Sequence, residues 1–124
     1  MQLLLVGLGG FAGAVSRWLV DGWVSDRNPS AFPLGTLVVN LTGSFVLGVL
    51  FAWVIERNLL PPDVRAPLMI GFVGAYTTFS TFMLESWRLV EDGAWALALL
   101  NLGGSVALGM VAVLGGLAVG RLAP

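Results

Sequence analysis

An all-α membrane protein of four transmembrane helices is what this sequence predicts. Its 124 residues are 57% hydrophobic and 10% charged, with a mean hydropathy of +0.92, whereas soluble domains carry about 25% charged residues. The six arginines and seven acids are bunched, so they leave four long uncharged stretches separated by short loops rich in breakers. A bilayer core about 30 Å thick needs roughly 20 apolar helical residues per crossing. At about 150 residues per domain there is room for one domain only. Residues 1–124 therefore read as a single transmembrane domain with spans at about 2–24, 32–55, 66–88 and 93–120.

The first stretch, Met1 to Trp18, contains Arg17 and reaches crossing length only by running on to about Val24. That places the arginine near one end, where its stem can snorkel. A cleaved secretory signal is the competing reading, but such signals carry their basic residue before the apolar run, and Arg17 follows it. Gly9 and Gly13 are one turn apart, a spacing that lets helix backbones approach closely.

The second stretch, Asn28 to Ile55, repeats Thr36, Asn40, Ser44 and Gly48 at four-residue intervals, a narrow stripe beside Gly43. The third, Ala66 to Leu84, holds the densest polar cluster: Gly71, Gly74 and Ala75, then Tyr76-Thr77-Thr78-Phe79-Ser80-Thr81-Phe82. Hydroxyl side chains compete for backbone groups and glycine is permissive, so a helix break is expected there. Backbone groups freed inside a membrane must bind each other, water or an ion. The fourth stretch, Gly93 to Gly120, carries Asn101, Ser105 and Gly109 in a second stripe with Gly104 beside it, followed by Ala112, Gly116 and Gly120.

The loops divide the arginines evenly: Arg57, Arg65 and Arg121 at one face, Arg17, Arg27 and Arg88 at the other. Orientation normally follows an arginine and lysine excess. Without one, the chain is expected to insert both ways, and oppositely inserted copies can pair about an axis in the membrane plane.

Composition also excludes whole classes of chemistry. The sequence has no cysteine, histidine or lysine, which removes thiolate and Schiff-base nucleophiles, imidazole bases and Cys/His zinc sites. No enzyme activity is expected. A net charge of −1 with no basic run argues against nucleic acid as a partner. Charged residues are missing from the centre of every span, so the titratable group that a proton-coupled exporter requires is absent there. A passive conduit has no such need. Phe79 and Phe82 would share a helix face, and aromatic edges are electropositive, which suits an anion path. Lipid-facing or packed phenylalanine is the plainer alternative.

Taken together, these motifs resemble the Fluc (CrcB) family of small bacterial fluoride channels over nearly the whole length. The likeness lies in Gly9-Gly10-Phe11-Ala12-Gly13-Ala14-Val15-Ser16-Arg17-Trp18, in Gly35-Thr36-Leu37-Val38-Val39-Asn40 through Gly43 and Gly48, and in Gly71 through Glu85. The resemblance implies an antiparallel, dual-topology homodimer in the bacterial inner membrane that passively releases cytoplasmic fluoride through two pores. It implies pore roles for Asn40, Phe79, Phe82, Ser80, Thr81, Thr36 and Ser105, and vestibule positions for Arg17 and Glu85. It also implies a structural sodium ion (Na+) held by the backbone carbonyls of Gly74 and Thr77. Departures from the family pattern are Ala75 in place of a second glycine, Trp18 in place of a tyrosine, and Asn101 and Gly109 in place of hydroxyl residues. Two other classes share the size and span count: a dual-topology, small multidrug-type proton-coupled exporter, whose nearest carboxylates are Asp21 and Glu85, and a non-conducting scaffold whose polar stripes only join helices.

Overall fold

A computed structural model describes residues 1–123, which form helices and connecting turns with no strand among them. Four helices are long and apolar enough to cross a membrane: α1 (Gln2–Ser25), α2 (Leu34–Glu56), α3 (Pro62–Glu91) and α4 (Trp95–Leu122). Even α2, the shortest at 23 residues, covers the hydrocarbon core at about 1.5 Å per residue.

Local chemistry sets the ends. After α1, the Asn28 side chain accepts from the backbone and hydroxyl of Ser30 and donates to the Phe32 carbonyl, closing the turn that leads to Pro33 and α2. The last turn of α2, Ala52–Glu56, widens to π geometry, and Asn58 then reverses the chain at φ 54°. Helical backbone of α3 starts at Pro62, ahead of the uncharged stretch, because proline suits a first helical position and Asp63 favours a first turn. Pro67 has no N–H to give, and Pro67–Val73 winds with π-type turns. Gly93, at φ 76°, makes the tight turn into α4.

The helices pair in two parallel sets. α1 lies along the first half of α3, and α2 lies along α4. Glycine makes both seams. A Cβ on Gly9 would strike the Pro67 carbonyl oxygen, one on Gly13 that of Phe72, and one on Gly71 would lie 2.6 Å from that of Val6. In the other seam, a Cβ on Gly48 would strike the Val113 carbonyl, one on Gly116 that of Phe45, and one on Gly120 would sit 2.8 Å from the Ala52 Cβ. Lipid supplies no hydrophobic drive between helices, so this backbone-level fit supplies dispersion instead. Gly104 and Gly109 behave differently. Among the described residues, the only neighbour a Cβ on Gly104 would meet within 4 Å is Leu100, at 3.8 Å, and a Cβ on Gly109 would meet none.

One end of the bundle is tied. Arg121 makes two bonds to the Glu56 carboxylate, at 2.6 and 2.9 Å, while Trp53 Nε1 donates to the Gly120 carbonyl at 3.1 Å. Arg57 also donates to the Gly120 carbonyl, at 3.3 Å, and to that of Ala123, satisfying acceptors that the α4 terminus leaves open. At the opposite end Arg27 lies over the Trp23 ring, 4.2 Å from its centroid, and donates to the Trp23 carbonyl.

Candidate functional site

The middle of α3 carries the site. Gly74–Tyr76 is helical, Thr77 is extended at φ −82° and ψ 159°, and regular helix covers Ser80–Glu91. In a continuing helix the Thr78 N–H would bond to the Gly74 carbonyl. It donates instead to Asn40 Oδ1 at 2.8 Å, and Asn40 Nδ2 donates to the Thr78 carbonyl at 2.9 Å. A side-chain amide presents the same donor and acceptor as a peptide, so one asparagine satisfies both backbone groups of Thr78. Just before it, the Tyr76 hydroxyl lies 2.8 Å from Thr42 Oγ1, which also bonds to the Val38 carbonyl. Gly43 makes room: a Cβ there would strike the Thr77 methyl and lie 3.1 Å from the Tyr76 ring. The α2 residues 40 and 42 thus hold the polar segment from both sides.

Two cavities border this segment, and a third lies further along α3. The first, about 250 Å³, is lined by Asn40, Ser44, Thr77, Thr78, Phe79 and Phe82 with apolar neighbours. The second, about 200 Å³, is lined by Arg17, Trp18, Asp21, Thr36, Thr78 and Thr81 among others. Thr78 borders both, so the Asn40–Thr78 pair forms part of the wall between them. The third, about 250 Å³, opens between Ala31, Pro33, Glu85, Arg88 and Asp92. Thr36 Oγ1 donates to Glu85 Oε1 at 2.8 Å, linking a wall of the second cavity to one of the third. Glu85 Oε2 is buried without a hydrogen-bond partner among the described residues.

Asn40, Phe79, Phe82 and Thr77 come together in the first cavity, and Thr36, Thr81 and Arg17 in the second. The two phenylalanines meet edge to face, ring centroids 6.3 Å apart at 69°. Their exposures differ sharply: Phe79 is 73% exposed in this single chain and Phe82 7%. Gly74 and Ser80 are exposed beside Phe79 and border none of the three cavities. Ser105 is not brought to the cavities either. Its hydroxyl donates to Asn101 Oδ1 at 3.2 Å, Asn101 Nδ2 donates to Ser86 Oγ at 2.9 Å, and Ser86 donates to the Phe82 carbonyl at 2.8 Å.

The stripe on α2 divides among partners. Thr36, Asn40 and Ser44 serve α3 and its cavities, but Gly48 packs on α4. Four residues advance a helix by about 40° beyond a full turn, so a four-residue repeat slides around the axis. Sequence reasoning missed Thr42 and Ser86, and named Asp21 only as a carboxylate for an exporter, not as a neighbour of Arg17 in the second cavity. Ser86 had a usable signal, a hydroxyl one turn beyond Phe82 on the same face.

Fold and cavities together define a multi-pass membrane protein whose first cavity, among the described residues, is lined by polar and apolar side chains and no charged one. The family model described as "CrcB-like protein, Camphor Resistance (CrcB)" matches residues 4–117. The chain belongs to the CrcB family. It is similar to proteins named "Fluoride-specific ion channel FluC" from three bacteria. With that of Hahella chejuensis it is 48% identical over 98% of this chain and 95% of the relative. The figures are 47% over 98% and 99% for Magnetococcus marinus, and 44% over 98% and 96% for Maridesulfovibrio salexigens.

Proposed function

We propose that this protein is a passive fluoride channel of the bacterial inner membrane, built as an antiparallel homodimer and releasing fluoride from the cytoplasm. The relatives named as fluoride-specific channels support the ion. The observation that carries the proposal is the first cavity, where Asn40, with one amide hydrogen outside its bonds to Thr78, meets Ser44, Thr78 and the edge-to-face Phe79–Phe82 pair without a charged group, the Thr77 hydroxyl being spent on the Val73 carbonyl. Fluoride is small and strongly hydrated, so a path must replace its water with donors and still let it leave. Neutral donors and aromatic edges meet both demands; a buried arginine would hold the ion. Arg17, a cavity away, supplies hydrogen-bond donors on the approach side, its charge offset by Asp21 of the same cavity.

Pairing of two copies is supported by what a single chain exposes. The non-helical backbone at Thr77–Phe79, with Phe79 73% exposed and Gly74 and Ser80 also uncovered, lies mid-span, where irregular backbone does not face lipid. A second copy covers it, and the even arginine split permits the opposite insertion. This interruption of the third span also fits a structural sodium ion. Because Thr78 gives its N–H to Asn40, the Gly74 carbonyl lacks its usual donor. The Gly74 and Thr77 carbonyls of both copies would hold the cation, and it would balance their dipoles where the subunits meet. Ser80, exposed at the start of the lower half of α3, and Ser105, on α4, join the path through that second copy.

Protein in liposomes is expected to discharge a fluoride gradient and leave chloride trapped. Equal leakage of both anions, or fluoride flux that requires a proton gradient, overturns the proposal, the second result pointing to an exporter working through Glu85. Phe79→Ile or Phe82→Ile is expected to lower flux at least tenfold while the dimer persists on size exclusion. A scaffold protein has no flux to lose.

A further inference from the structure

Asn101 is the one asparagine in the membrane interior that the cavities do not use. It is 1% exposed, among the most buried side chains of the molecule, on a helix that is otherwise almost wholly apolar. Burying an amide without partners costs roughly 2–7 kcal/mol, so its bonds indicate what holds it there. They form a ladder between helices: Ser105 to Asn101, Asn101 to Ser86, and Ser86 to the carbonyl of Phe82. Ser86 is itself 3% exposed.

The ladder matters because of where it lands. Thr77 to Phe79 is not helical, so the upper half of α3 does not dictate the rotation of Ser80–Glu91 about its axis. That rotation decides whether Phe82 enters the first cavity, since a slip of one residue turns a helix by about 100°. Side-chain hydrogen bonds are the directional constraints on this half-helix. Thr36 holds Glu85 from α2, and Asn101 holds Ser86 from α4. Ser86 follows Phe82 by one turn on the same face.

We infer that Asn101 is a positioning residue for the aromatic pair, fixing through Ser86 the rotation of the lower half of α3 and with it the seat of the Phe82 ring beside Asn40. The flux consequence rests on the proposed channel function; the ring position does not.

The test places a single fluorine on the para carbon of Phe82 and reads its NMR resonance in purified protein, alongside liposome flux. In Asn101→Ala and in Ser86→Ala the resonance is expected to shift and broaden. Fluoride flux is expected to fall about threefold to tenfold, as for one or two lost interhelical hydrogen bonds. Because Asn101→Ala strands polar groups and risks misfolding, Asn101→Leu with Ser86→Ala removes the polar pair together. That chain is expected to elute like the wild type while its Phe82 resonance stays displaced. A wild-type resonance in the folded double variant, or in folded Asn101→Ala, overturns the inference and leaves Asn101 as helix glue. If the wild type conducts no fluoride, the proposed function falls, and the resonance still decides the positioning role.

Discussion

Asn40 shows how one residue serves both structure and site. Its amide occupies the donor and acceptor of Thr78, so only one Nδ2 hydrogen is left outside that pair. Asn40→Ala is expected to lower the stability of the solubilised protein by about 1–3 kcal/mol, the cost of stranding buried backbone groups, read as a drop in thermal unfolding midpoint. Asn40→Asp keeps the acceptor for the Thr78 N–H but turns a carboxylate oxygen on the Thr78 carbonyl, and burying that charge should lower its midpoint below that of Asn40→Ala. The polar stripe containing Asn40 was legible in the sequence because its period matches a helix. Its partner was not, since the bond exists only where Thr78 has left helical geometry. The contrast between buried Phe82 and exposed Phe79 was likewise invisible: both are phenylalanines three residues apart, but Phe79 lies just before the helix that resumes at Ser80 and Phe82 within it.

At the scale of helices, the two seams decide which pairs form. Alanine is a better helix former than glycine by about 0.5–1 kcal/mol, so a glycine-to-alanine change harms only where space is missing. Gly13→Ala and Gly116→Ala each drive a methyl into a carbonyl oxygen. Both should yield little folded protein on size exclusion, whereas Gly22→Ala, with nothing within 4 Å of the new carbon, should match or slightly exceed the wild type. Tyr76→Phe tests the brace on α3 more gently. It removes the hydroxyl bond to Thr42 while keeping the stack on Phe72 at 6.1 Å, and should cost about 0.6–1.7 kcal/mol, the range for hydrogen bonds between membrane helices. The Gly9, Gly13, Gly116 and Gly120 spacings announced close packing in the sequence. Which helix each would meet could not be read, because a one-turn repeat states a face and not a neighbour. Gly104 shows the limit of such spacing, since among the described residues a Cβ there would meet only Leu100 of its own helix within 4 Å.

Across the whole molecule, the two ends differ. The Glu56–Arg121 pair is exposed, with relative side-chain accessibilities of 31% and 57%, and exposed pairs contribute little and are screened by salt. Arg121→Gln should therefore leave the unfolding midpoint almost unchanged at high ionic strength. Arg57→Ala should lower it at any salt, because Arg57 satisfies carbonyls at the end of α4. The order of the seams has one more consequence, for biosynthesis. The two glycine seams join α1 to α3 and α2 to α4, pairs that are not neighbours along the chain. A nascent polypeptide that has inserted only its first hairpin owns neither partner, and Gly9 and Gly13 still look onto acyl tails. Assembly inside the bilayer must wait for the ribosome to deliver the third span, and the second seam closes last, with the final helix.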